Sequence, residues 1–352
     1  MRLPTELLFL LSLFHPATSL PSHDQRSATF QSLRGLTRLS NDYSNHDTYT
    51  SPTKFFHEST FSQHYDGRFA STELPHHTRL FHMRLMLKSY LATMERVGVR
   101  TWLMHGCLLG WWWNGRIMPW DTDVDVMVDE SGIDELGGWW NMSVHHFTGQ
   151  ELGLTRHEEG DDVMGMGNVV KGDEVLRQGK KYLLEVNPYY TNTSTRDREN
   201  VIDARWIDTA TGLFIDITAL HVQPIIVGTT SGNDVEHDDA TELYTKDQHA
   251  YTSTSMFPLR ESVFEDIPVH IPYDYERLLL DEYGPKALTQ KVYKDFEFDE
   301  GGSEWRLVNG FAREEDEEVV MQRLQAARER MDYLERVGDR NRVGLERYGD
   351  VA

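Results

Sequence analysis

The sequence predicts an α/β (α+β) fold class. A helix-spaced apolar pattern, a set of short apolar strands, and an acidic strand placed just after a glycine-containing turn carry that expectation. Leu80, Met83, Leu87, Leu91, Met94 and Val97 recur at helical spacing, so residues 75–97 read as an amphipathic helix ended by Gly98. Val99 to Met104 is a short apolar strand that delivers a His-Gly turn, and Asp123 to Val128 is the next strand. Glu130 to Gly138 starts a helix, and Tyr182 to Asn187 is a strand. Val201–Asp208 and Leu213–Ala219 alternate around the turn Thr209-Ala210-Thr211-Gly212 and form a hairpin. Gly228 to Thr241 reads as an acidic loop, Ser262 to Pro272 as a strand pair, and Asp274 to Tyr283 as a helix stopped by Gly284-Pro285. Glu314 to Glu318 opens a last, long helix with Val320, Leu324, Ala327, Met331 and Leu334 on one stripe.

The chain has 352 residues, 39% of them hydrophobic, enough for a sizeable core. Its formal net charge of -22 argues against a nucleic-acid backbone as partner, because phosphate tracks require Lys/Arg patches. A small anionic nucleotide is not excluded. The one cysteine, Cys107, allows neither an intramolecular disulfide nor a thiolate zinc cluster. Residues 1–20 combine Arg2, the apolar run Leu7–Phe14 and a small-x-small site, which reads as a signal peptide or short anchor. Residues 21–74 read as a polar, loosely ordered lead-in, 75–290 as the main domain, and 291–352 as a C-terminal extension carrying the long helix. Asn141 and Asn192 stand in glycosylation sequons, in keeping with a secretory route.

The chemistry concentrates between His105 and Val128. Asp121, Asp123 and Asp125 occupy alternate positions, so on an extended strand Asp123 and Asp125 share a face while Val124, Val126 and Val128 point into a core. Carboxylates held side by side call for a cation, and oxygen-rich sets suit Mg²⁺ or Mn²⁺. Asp216 is a lone acid on a second apolar strand. Such an acid is either metal-bound or satisfied by backbone donors or an arginine.

The stretches His105-Gly106-Cys107-Leu108-Leu109-Gly110 and Pro119-Trp120-Asp121-Thr122-Asp123-Val124-Asp125 resemble the signature of the LicD family. That family groups bacterial phosphocholine transferases, fukutin and fukutin-related proteins, and a fungal branch linked to mannosylphosphate addition. Trp111-Trp112-Trp113 with Asn114-Gly115-Arg116 is similar to the fungal branch, and Ile202–Asp208, Gly212–Ile217 and Tyr283-Gly284 add to the resemblance. It covers residues 80–288.

The resemblance implies a nucleotidyltransferase fold of the DNA polymerase β kind, with a mixed sheet flanked by helices and family-specific additions. It implies that Asp123, Asp125 and Asp216 are catalytic and bind two divalent ions, Mg²⁺ or Mn²⁺, with Asp121 as a further ligand. It implies that the Gly106–Gly110 turn, with Cys107, holds a phosphate. Arg116 and Arg205 are candidates for further phosphate contacts, with surface salt bridges as the alternative. His105 fits an acid–base or phosphate contact, or a structural role. Trp113 and Trp120 are candidates for stacking on sugar or base rings, with core packing as the alternative. The pattern departs from many members at Cys107, where they carry Thr or Ser, and at Trp113, where bacterial members carry Arg.

The implied activity is transfer of a phospho-substituent from a nucleotide-activated donor to a glycan acceptor, in the Golgi lumen or membrane-associated through the N-terminus. A partner glycosyltransferase is a further expected contact. The alternatives are a non-catalytic regulator or scaffold of mannosylphosphorylation, and a glycosyltransferase that uses the D-x-D with a nucleotide-sugar.

Overall fold

The computed structural model describes residues 54–154, 174–223 and 241–308, together with the backbone of a short strand at 27–29. The signal segment, the acidic loop at 228–240 and the long helix expected after Glu314 lie outside the described residues. Strand β1 (Ser27–Thr29) is followed by helix α1 (His76–Val97), strand β2 (Thr101–Leu103) and helix α2 (His105–Asn114). Strand β3 (Val124–Asp129) leads into helix α3 (Glu130–Glu135), which continues as one π-helical turn, Leu136–Trp140. Strands β4 (Ser143–Phe147), β5 (Lys180–Val186), β6 (Ala204–Asp208) and β7 (Phe214–Val222) follow, then β8 (Glu242–Tyr244) and β9 (Ala250–Thr252). Helix α4 (Ser253–Met256), the pair β10 (Arg260–Phe264) and β11 (Ile267–Ile271), and helix α5 (Tyr275–Tyr283) complete the expected domain.

Strands β1 to β9 form one mixed sheet in the order β1-β4-β5-β6-β7-β3-β2, with β8 on the far end of β7 and β9 beside it. Every pairing is antiparallel except β3 with β7. Helix α1 lies against the sheet through Met83, Met86, Leu87, Tyr90 and Met94, all at most 1% exposed. It ends where the sequence predicts, with Gly98 at φ 75°, a left-handed cap that glycine adopts without a Cβ penalty. Trp206 of β6 packs between α1 and its own sheet. Its ring stacks on Tyr182 at 5.6 Å and its Nε1 donates to Ser89 Oγ at 3.0 Å.

The structure corrects the sequence reading in three places. The His-Gly turn is the first turn of helix α2 rather than an open loop. Gly110 sits on that helix at a close crossing, where a Cβ would lie 2.4 Å from the Arg116 carbonyl oxygen. The lead-in is not loosely ordered from residue 54 on. Tyr65 and Ala70 are fully buried, and Asp66 O accepts from Ala70 N at 2.9 Å while its N–H reaches Gly212 O at 2.7 Å. The extension does not begin at 291 as a separate unit. Strands β12 (Val292–Tyr293), β13 (Phe296–Asp299) and β14 (Glu304–Leu307) make a small antiparallel sheet whose aromatic side chains pack on α2 and the segment after it.

Candidate functional site

Register brings the acids together. In the parallel pair β3–β7, Asp125 lies directly opposite Asp216, and in the antiparallel pair β6–β7 Asp216 lies opposite Arg205. One face of three adjacent strands therefore carries Arg205, Asp216 and Asp125 in a row. Neighbouring strands stand about 4.8 Å apart, so this row places two carboxylates side by side. Asp123 sits one step before β3, and Asp121 two residues before that.

The electrostatics follow from this crowding. Burial, reinforced by the Asp123 and Asp216 charges, raises the Asp125 carboxyl well above its ordinary range, against a pull from His105. Burial and the Asp123 charge push Asp121 up to about 7. Burial also raises Asp216, although Arg205 Nε donates to its Oδ1 at 2.7 Å and pulls the other way. Of the sequence alternatives for Asp216, the arginine partner is present, and strand register also sets it beside Asp125. Arg205 is itself fixed, its guanidinium 3.6 Å from the Phe214 ring centroid. Asp123 Oδ2 meets His64 Nδ1 at 3.2 Å, and that contact raises the imidazole.

Two cavities lie among these acids, neither of them lined by Asp125. The larger, about 460 Å³, is lined by Gly106, Trp113, Trp120, Asp121, Tyr283, Lys286, Tyr293, Lys294 and Trp305. The smaller, about 210 Å³, is lined by Lys54, His64, Asp123, Arg198, Arg205 and Asp216. The set of acids is shared out between them, Asp121 to the aromatic side and Asp123 with Asp216 to the charged side.

Other residues singled out in the sequence fall elsewhere. Cys107 is 2% exposed, lines neither cavity, and burial keeps its thiol protonated. Arg116 pairs with Asp266 at 2.7 Å and Glu265 at 3.2 Å, the salt-bridge alternative. His105 Nδ1 meets Glu282 Oε1 at 2.8 Å. Burial opposes its imidazolium, yet Glu282 and Asp125 outweigh that cost and its pKa is raised. Trp113 and Trp120 both pack on Trp305, at 4.8 and 4.9 Å, while also lining the larger cavity. Asn192 is exposed, whereas the Asn141 side chain accepts from Val186 N at 2.9 Å.

Sequence reasoning did not find His64, Lys54 or Arg198 on one side, nor Lys286, Tyr293, Lys294 and Trp305 on the other. The aromatic residues scattered through the polar stretch 291–308 were the signal that marked the second group.

Residues 98–162 match the family model described as LicD/FKTN/FKRP, nucleotidyltransferase domain. The matched stretch contains Asp121, Asp123 and Asp125; Asp216 lies beyond it and is brought in by the β3–β7 register. Among curated proteins, the chain is similar to two from Saccharomyces cerevisiae. It is 30% identical to Mannosyltransferase regulator 4 over 185 residues, 49% of this chain and 13% of the relative. It is 28% identical to Mannosyltransferase regulator 14 over 240 residues, 64% of this chain and 22% of the relative. The chain thus spans less than a quarter of the length of either relative. No helix among the described residues is long and apolar enough to cross a membrane.

Proposed function

We propose that this chain is a divalent-cation-dependent transferase of the secretory pathway. It moves a phospho-substituent, with mannosylphosphate as the first candidate, from a nucleotide-activated donor to a glycan hydroxyl. The mixed sheet with its acid row is read as a variant of the nucleotidyltransferase fold shared with DNA polymerase β. The observation that carries the reading is the Asp125–Asp216 pair on facing positions of parallel strands, with Asp216 and Asp123 lining one cavity and Asp121 another.

The acids fit a cation. Among the described residues, Asp121 and Asp125 reach no Lys or Arg within ion-pair distance, and Asp123 reaches only His64. Burial first, and the neighbouring acid charges after it, raise the Asp121 and Asp125 carboxyls, a cost that a divalent ion would offset. Asp123, Asp125 and Asp216 would hold Mg²⁺ or Mn²⁺, with Asp121 as a further ligand. When bound, such ions supply charge neutralisation and Lewis-acid activation at phosphorus.

The chain's own residues do the remaining work, which in phosphoryl transfer is mostly positioning. Arg205 orients Asp216. In the larger cavity Trp113, Trp120 and Tyr293 offer ring faces to the donor, and Lys286 and Lys294 draw its phosphates toward Asp121. The smaller cavity takes the acceptor hydroxyl, with His64, held by Asp123, as the basic group beside it.

Glycan phosphate in a host lacking paralogues tests this. The double variant Asp123→Asn, Asp125→Asn loses it while the folded protein persists; unchanged phosphate overturns the reading. The names of the two relatives favour a second reading, a regulator of a separate mannosyltransferase. That reading expects neither Mn²⁺ nor nucleotide binding in calorimetry.

A further inference from the structure

The hairpin β8–β9 turns through residues 245–249, and this turn is held from several directions. Thr245 N donates to His249 O at 3.0 Å, and Gln248 takes φ 76° between Asp247 and His249. Lys246 Nζ is buried on Asp203 Oδ1 at 2.6 Å, anchoring the turn in the core. Asp247 and His249 are thereby presented to His105, the first residue of α2. One possible ligand atom from each of the three lies within 4.8 Å of the others.

Two independent features single this cluster out. His105 Nδ1 faces Glu282 Oε1 at 2.8 Å, so in the tautomer that donates there, Nε2 is left with a free lone pair. A carboxylate that fixes the far nitrogen of a histidine is the usual outer partner of a metal ligand. His249 Nδ1 is shielded from solvent and makes no hydrogen bond among the described residues; Asp247 Oδ2 stands 3.5 Å away. The His105 backbone adds to this picture. It takes φ 52°, a left-handed conformation uncommon for residues with a Cβ, and its ring lies 4.9 Å from that of His249.

We infer that His105, Asp247 and His249 are the three protein ligands of a zinc site distinct from the acid row. Two imidazoles and one carboxylate are a nitrogen- and oxygen-rich set suited to Zn²⁺, with a fourth position left for water. Ligand atoms of a tetrahedral zinc site are about 3.3 Å apart, so the cluster closes onto the ion by side-chain adjustments of an ångström or so. The ion ties the β8–β9 hairpin to the start of α2, one residue before Gly106 of the larger cavity. His105 is thereby assigned to metal rather than phosphate. The assignment does not depend on the transferase reading.

The test uses the full chain carrying Asp123→Asn and Asp125→Asn, so that ions at the acid row are not counted. After chelator stripping and dialysis, Zn²⁺ binding is measured by competition with a chromophoric chelator, and Co²⁺ binding by visible absorption. One equivalent of zinc is expected, with the intense visible bands of four-coordinate cobalt. Adding His249→Ala or Asp247→Asn lowers zinc affinity at least 100-fold and removes the cobalt bands. Glu282→Gln, which leaves all three ligands in place, lowers affinity on the order of 10-fold. It serves as the deciding variant if either ligand substitution impairs folding, judged by circular dichroism. No zinc bound by the folded protein, or affinity unchanged in folded His249→Ala, Asp247→Asn and Glu282→Gln, overturns the site.

Discussion

Replacing Asp125 by Asn should make the metal-free protein more stable. Asp125 and Asp216 are direct neighbours across a parallel strand pair, so their carboxylates stand about 5 Å apart. Two unit charges at that distance repel by about 3 kcal/mol at an effective dielectric constant of 20. Burial and the Asp123 charge weigh on Asp125 more than Asp216 does, while His105 beside Asp125 and Arg205 at Asp216 offset part of the cost. A net gain of about 1–3 kcal/mol is expected for Asp125→Asn near pH 7.5 in chelator, from that Coulomb term less these offsets. It would be seen as a rise of roughly 2–4 °C in melting temperature per kcal/mol.

The pH dependence gives the decisive signature. The folded-state pKa of Asp125 is raised above its ordinary 3.8, so the folded state holds a proton that the unfolded chain has released. That destabilises the wild type as pH rises from about 4 toward the raised value, and costs nothing below about 4. The advantage of Asp125→Asn should therefore vanish near pH 4 and widen with pH. Saturating Mn²⁺ should reverse the order, since only the wild type keeps the ligand; ligand at 100 times Kd adds about 2.7 kcal/mol. Urea titrations from pH 4 to 8, with chelator or Mn²⁺, measure all of this. A variant less stable than wild type at pH 7.5 in chelator, or an advantage that does not change with pH, would refute the reasoning.

Two further outcomes test neighbouring parts of the argument. Arg205→Met keeps apolar bulk beside Phe214 but removes the guanidinium over its ring and leaves Asp216 without its cation. It should cost about 3–5 kcal/mol in chelator, and less in Mn²⁺, as read by denaturant unfolding. Gly110→Ala drives a Cβ to 2.4 Å from the Arg116 carbonyl, and that backbone cannot yield cheaply; a loss of about 1–3 kcal/mol in thermal unfolding is expected.

Where the sequence was legible, periodicity made it so. Helix α1 showed its stripe and its glycine stop, and the β6–β7 hairpin showed alternation around a Gly turn. Asp216 stood out because a single acid on an apolar strand needs an explanation. Helix α2 was illegible because two glycines and three tryptophans give no amphipathic stripe; packing against β3, α5 and the β12–β14 sheet makes it helical. The buried parts of residues 54–74 were hidden in a polar context, since Arg68 pairs with both Asp66 and Glu185 inside the fold. The approach of Asp247 and His249 to His105 is set by strand order, which no local pattern encodes.

The contrast among the buried acids bears most directly on whether the site acts or only persists. Asp208 is held by Lys180, Asp203 by Lys246, and Glu185 with Asp66 by Arg68. Asp216 has Arg205. The fold thus supplies a cation to the acids it uses as structure, which is what burial of a charge demands. At the end of β3 it does not: Asp123 has a histidine, and among the described residues Asp121 and Asp125 have no Lys or Arg at ion-pair distance. Three crowded acids lower stability as they stand, and simple apolar substitutions would remove the cost. A scaffold that only presented a surface would gain nothing from them. A protein that must receive a divalent ion between β3 and β7 needs all three, and needs Asp216 tempered rather than neutralised. The proposed cation site therefore rests on Asp121, Asp123 and Asp125, the acids without a Lys or Arg partner among the described residues, with Asp216 tempered by Arg205.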